Sequence, residues 1–207
     1  MDDSPADPLV TADAALHRLI EGNARYRAGH PRFTGMRPEM LAELSHGQQP
    51  FATILGCADA LVPPELIFDA VLGELFVIRV AGHIHAPDAS ASLDYAHACL
   101  DTPLLMVLGH EGCGAVRAAL ESRARRASID PGIEGLVEAI LPALAEVNAE
   151  LSPDRQLSRA VEANVRLAMT RIADSTEGRR RLEAGRMMLV GAVYDEVTGR
   201  VRLLDVV

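Results

Sequence analysis

No apolar run in this chain of 207 residues reaches the length of a membrane-spanning helix. The opening Met-Asp-Asp-Ser-Pro-Ala-Asp-Pro lacks the basic and apolar stretches of a signal peptide. Cysteine is scarce and odd in number, three in all, which argues against a disulfide scaffold and for a reducing cytoplasm. Basic residues are outnumbered, 20 against 29 acidic ones, for a net charge of −9. That balance disfavours nonspecific binding to nucleic acid or to an anionic membrane. Linkers, low-complexity segments and repeats are also lacking. The glycine-rich stretch 109–114 is not followed by the Lys-Ser or Lys-Thr pair of a phosphate loop. What is present is an ordinary soluble composition, 49% hydrophobic and 24% charged, long enough for one domain over residues 1–207.

The apolar pattern predicts an α/β fold. Residues 11–28 have helical periodicity, with Ala15, Leu16, Leu19, Ile20 and Ala24 on one face, Thr11 as N-cap and Gly29 as stop. Three short apolar runs follow, at 51–56, 74–80 and 104–109, and their near-continuous hydrophobicity predicts strands covered on both faces. Helical stretches are expected at 63–71, 88–100 and 113–127. A longer helical region at 133–176 is expected to be divided at Pro142 and Leu151-Ser-Pro153. Residues 187–194 and 200–206 flank Asp195-Glu-Val-Thr-Gly199 as a terminal hairpin. Alternating strands and helices imply a central, mostly parallel sheet flanked by helices.

Two segments carry chemistry. Cys57-Ala58-Asp59 and His110-Glu111-Gly112-Cys113 each directly follow an apolar run that ends in glycine. In open parallel sheets, ligands bind beyond the carboxyl ends of the strands. Two thiols and an imidazole placed there suit one zinc ion, with a fourth position left open as in catalytic sites. His110 and Cys113, three apart at a helix start, can face one point, where the helix dipole favours thiolate.

These residues, with Gly47-Gln48-Gln49-Pro50-Phe51, Val62-Pro63-Pro64-Glu65-Leu66-Ile67-Phe68-Asp69, Val77-Ile78-Arg79-Val80-Ala81-Gly82 and Val190-Gly191-Ala192-Val193-Tyr194-Asp195, resemble the β-class carbonic anhydrases over nearly the whole chain. The family's zinc motif, Cys-x-Asp-Ser-Arg and then His-x-x-Cys, stands here as Cys57-Ala58-Asp59-Ala60-Leu61 and His110-Glu111-Gly112-Cys113. The resemblance implies one zinc per chain held by Cys57, His110 and Cys113, and a homodimer or a multiple of it, with the leading helix packing across the partner. It implies reversible hydration of carbon dioxide to bicarbonate by zinc-bound hydroxide, Asp59 as catalytic residue, and Gln48 and Gly114 as substrate contacts.

Leu61 breaks the motif. In the family an arginine at this position pairs with the aspartate and keeps it off the metal. Without that guanidinium, Asp59 is expected to find another donor or to become the fourth zinc ligand, leaving hydration weak. Two other readings stand beside this one: action on another small electrophile, or a non-catalytic zinc-binding homologue. Among the remaining candidates, His83 (where the family usually has asparagine) reads as a hydrogen-bonded structural residue. His85 and His97 add titratable groups to the same half of the chain. Cys99 is expected in the core beside Leu93 and Ala96, and Arg179-Arg180-Arg181 on a helical surface.

Overall fold

The computed structural model describes residues 10–32, 47–125 and 130–207. Five strands form one sheet: β1 (Ala52–Gly56), β2 (Leu75–Arg79), β3 (Leu104–His110), β4 (Met188–Tyr194) and β5 (Val201–Val206). Their order is β2-β1-β3-β4-β5; the first four are parallel, and β5 returns antiparallel to β4 through the hairpin at 195–199. Every residue of β1 and β3 is buried, as their unbroken hydrophobicity predicts.

Alternation along these strands splits the core in two. Leu55, Leu105, Val107, Leu189 and Val193 point to one face of the sheet. That face is covered by α3 (Pro87–Tyr95), α4 (Gly114–Arg125), α5 (Glu134–Ile140) and α6 (Pro153–Asp174). Ile54, Met106, Leu108, Val190 and Ala192 point the other way, onto α1 (Ala12–Ala28) and α2 (Pro64–Ile67). A last helix, α7 (Thr176–Glu183), leads into β4. A side chain at Gly109 would begin 2.7 Å from Val165 Cγ2, so this glycine lets α6 lie close against the strand that carries His110.

The predicted elements largely stand. Thr11 caps α1, accepting from Ala14 N–H at 3.2 Å, and Gly29 ends it at φ 69°. Pro142 marks the passage of α5 into a 3₁₀ turn, and Pro153 opens α6. The end of the helix expected at 113–127 lies outside the described residues.

Four expectations are corrected. The helix expected at 63–71 is only the short α2, followed by turns. On α1 the inward face takes Gly22 and Asn23 and leaves Ile20 and Ala24 outside, because the Asn23 amide donates to Ile67 O (3.1 Å) and Gly199 O (2.8 Å). Cys99 is exposed: α3 widens into a π turn over Ala96–Leu100, whose smaller rotation per residue carries Cys99 off the apolar face. Arg181 is buried while Arg179 and Arg180 remain at the surface. Its guanidinium donates to His97 O (3.1 Å), Asp101 Oδ1 (2.6 Å) and Arg186 O (3.3 Å), which satisfies the charge that burial would otherwise leave exposed to a low dielectric.

Candidate metal centre

The sheet brings the two separated segments together. β1 and β3 are neighbours in parallel register, so the residues that follow their carboxyl ends emerge side by side. The ligand atoms of Cys57, His110 and Cys113 all lie within 4.8 Å of one another, and all three residues are buried. Among the described residues this is the one such group of three or more. His110 Nε2 has no hydrogen-bond partner. A buried imidazole nitrogen without a partner beside two thiols is costly by itself and is satisfied by a metal. Two sulfurs and one imidazole nitrogen fit zinc with one position left open.

Main-chain amides tune the two sulfurs differently. Cys57 Sγ accepts from the Gly82 N–H at 3.3 Å, and Cys113, His110 and the Asp59 N–H lie near it. Together these hold the Cys57 thiol well below its ordinary value, Cys113 foremost, against the opposing effect of burial. Cys113 is pushed up, because it donates to Cys57 and lies buried beside that negative charge. The N–H groups of Ala115 and Val116, at the start of α4, partly offset this. Without a metal the pair therefore keeps one proton, which a metal ion must displace.

Asp59 is not among the gathered ligand atoms. Its Oδ1 accepts from the Leu61 main-chain N–H at 2.9 Å. The residue whose side chain lacks a donor thus supplies one from its backbone. Arg79 does not take the place of the missing arginine: its Nε donates to Cys57 O at 3.0 Å and its Nη2 to Asp59 O, so it props the loop carbonyls and leaves the carboxylate alone. Leu61 is 63% exposed. Gln48 is exposed in the segment before β1, and Gly114 is exposed at the first turn of α4 with open space where a side chain would begin.

His83 is fully buried, its Nε2 3.0 Å from the Asn164 amide, which also donates to Gly82 O at 2.8 Å. Burial pushes His83 down to about 4, so the ring is neutral near pH 7. This is the structural role expected of it. His85 and His97 are drawn elsewhere, into a cavity of about 450 Å³ between α3 and the junction of α6 with α7.

Sequence reasoning missed Glu196. Its carboxylate contacts His110 Nδ1, and although burial opposes it, the nearby Cys57 sulfur and this carboxylate raise the histidine. Residues 110 and 196 are too far apart in sequence for any local pattern to join them. The available signal was an acid in the turn after β4, the strand next to β3.

A mostly parallel sheet with a Cys-His-Cys cluster beyond its strand ends marks an α/β protein with a candidate metal site. The comparisons place it more closely. A family model described as carbonic anhydrase matches residues 52–201. The chain is 37% identical over 206 aligned residues to carbonic anhydrase 2 of Mycobacterium tuberculosis, covering 96% of this chain and 95% of that protein. It is 35% identical over 194 residues to the carbonic anhydrase of Mycolicibacterium smegmatis, covering 92% of each. Among solved structures, the β-carbonic anhydrase CcaA matches with a TM-score of 0.72 at 28% identity, covering 92% of this chain and 87% of that one. The chain belongs to the β-class carbonic anhydrase family, and so to the carbonate dehydratase lyases.

Proposed function

We propose that this protein is a zinc-dependent carbonic anhydrase, interconverting carbon dioxide and bicarbonate more weakly than relatives that keep the dyad arginine. The observation that carries the reading is the buried Cys57–His110–Cys113 cluster with its unpartnered imidazole nitrogen. When bound, zinc supplies Lewis-acid activation of water near neutral pH. The chain's own residues do the rest. Two thiolates and a neutral imidazole hold the ion and offset its charge. Gln48 and Gly114 serve as substrate contacts, the part that the resemblance to the family gives them. Asp59 is the acceptor that orients the attacking water when it stands off the metal.

Asp59 also accounts for the weakness. A bidentate guanidinium would hold its carboxylate by two charge-assisted bonds. Here one main-chain N–H holds it, a bond worth about 1 kcal/mol net. So light a tether lets Asp59 turn to the fourth zinc position in part of the population, where it shuts out water. Ile20 and Ala24, exposed one turn apart on the outer face of α1, support a homodimer or a multiple of it in which that helix packs across the partner. Three free cysteines, two of them needed as ligands, support a reducing cytoplasm. No described helix is long and apolar enough to cross a membrane.

Metal analysis combined with stopped-flow hydration of carbon dioxide tests the proposal, with light scattering for the assembly. About one zinc per chain, slow but zinc-dependent hydration and a dimer or its multiple are expected. A zinc-loaded protein without any hydration would favour the non-catalytic homologue. Hydration as fast as that of an arginine-bearing relative would refute the role given to Leu61.

A further inference from the structure

Each cluster sulfur is approached by main-chain amides, whereas the imidazole of His110 is held from outside by one side chain, Glu196. The register explains how an acid 86 residues away gets there. β3 and β4 run parallel up to the pair His110↔Tyr194, and Glu111 N–H donates to Tyr194 O at 2.9 Å. The chain therefore passes beside the histidine two residues before Glu196.

The turn beyond is clamped. Asp195 accepts from the N–H groups of Val197 (2.9 Å) and Thr198 (3.2 Å) and from the Thr198 hydroxyl (2.6 Å). Its own N–H donates to Arg200 O at 2.9 Å, and its carbonyl accepts from Gly199 at 2.8 Å. Glu196 is accordingly not a loose surface acid. Its side chain is 26% exposed against 1% for His110. Its second oxygen stands over Gly112, where φ is +74° and a Cβ would lie 3.8 Å away.

We propose that Glu196 is a positioning residue for the metal: its carboxylate keeps the proton on His110 Nδ1, presents Nε2 as the lone-pair donor, and slows metal release. The inference rests on the zinc reading above. A neutral imidazole places its one proton on either nitrogen, and only the form protonated at Nδ1 offers Nε2 to a metal. An anionic acceptor on Nδ1 selects that form, fixes the ring plane and strengthens Nε2 as a donor. Neither thiol has this ambiguity, so the effect belongs to Glu196 alone.

Zinc-loaded wild type, Glu196→Gln and Glu196→Ala are mixed with excess chromogenic chelator, and the transfer of zinc is timed. The cobalt(II)-substituted proteins give visible spectra in parallel. Transfer is expected to be about 10- to 100-fold faster in Glu196→Ala. Glu196→Gln, whose amide oxygen still accepts from Nδ1–H without the charge, should accelerate less, and both should shift the cobalt bands. Glu196→Gln is isosteric, so it carries the test if Glu196→Ala folds poorly. Wild-type transfer rates with an unchanged cobalt spectrum in Glu196→Gln overturn the inference. A wild type that takes up neither metal overturns instead the zinc reading beneath it.

Discussion

Two loops flank the metal cluster, each with a carboxylate, and they are built in opposite ways. The loop after β1, Cys57–Leu61, is the one the family motif names. Its Asp59 is held by one amide, and Leu61 beside it is exposed. The hairpin after β4, residues 195–199, is held by five hydrogen bonds centred on Asp195. Its Glu196 grips a ligand. A motif tells which residues meet the metal. How firmly each carboxylate is held depends on the backbone around it, and here that of Asp195, with three bonds, is held more firmly than that of Asp59, with one. The main chain of the β1 loop is itself well held, through Arg79, Ala58 and Val62, so what Leu61 leaves light is the hold on the Asp59 side chain alone.

Both loops matter only through the cluster between them, so removing a ligand should erase the contrast. Cys113→Ala is expected to abolish stoichiometric zinc and hydration together, read by metal analysis and stopped-flow. Full zinc occupancy in that variant would discard the ligand set.

The wall behind the loops sets the acid limit. His83 is near 4 when folded against an ordinary value of 6.5. The unfolded chain therefore binds the extra proton between those values, and stability falls as pH drops from about 6.5 towards 4. His83→Asn removes the titration and keeps a residue that tolerates the positive φ of 44° found there. Urea midpoints measured from pH 7 to 4.5 should show the wild type losing ground to this variant, by up to about 3 kcal/mol over the full span. Parallel curves would show that His83 is not buried neutral. Carboxylates held low by arginines, Asp69, Asp101 and Glu162, weaken both proteins alike at the acid end.

Leu61→Arg sharpens the comparison by giving the β1 loop a second tether. The side chain at 61 is exposed, so the longer one has room. Replacing one amide contact by a charge-assisted pair adds about 1.4 kcal/mol, which corresponds to a rise of about tenfold in kcat/KM for hydration. An unchanged rate would mean that Asp59 does not limit the enzyme.

The last test compares the two carboxylates directly. Asp195→Ala strips three bonds from the hairpin and should cost about 1–3 kcal/mol in thermal or urea unfolding. Asp59→Ala strips one and should cost about 0.5–1 kcal/mol. Equal losses would mean that the two carboxylates are held alike.

Much of this could be read in advance. Unbroken apolar runs announced β1 and β3 as strands buried on both faces, whereas β2, expected to be the same, lies at the sheet edge and is only partly buried. Thr11, Gly29 and Pro153 marked helix ends, since capping and proline geometry are local. The cluster of Cys57, His110 and Cys113 was legible because each segment directly follows a strand, and parallel neighbours bring their ends together. Cys99 and Arg181 were misplaced for a shared reason. A π turn and a buried carbonyl–carboxylate pocket re-aim side chains without a local sign in the sequence.

By itself, the sequence determined the order of elements, the faces of the buried strands and which residues form the Cys57–His110–Cys113 cluster. Those follow from periodicity, capping and donor chemistry, which act within a few residues. Only the tertiary structure decided that Asp59 is held by the Leu61 amide, that Arg79 serves the loop carbonyls, and that Glu196 reaches His110. Each of these depends on the register between separate strands or on where a backbone amide points, and neither is written in the type of any one residue.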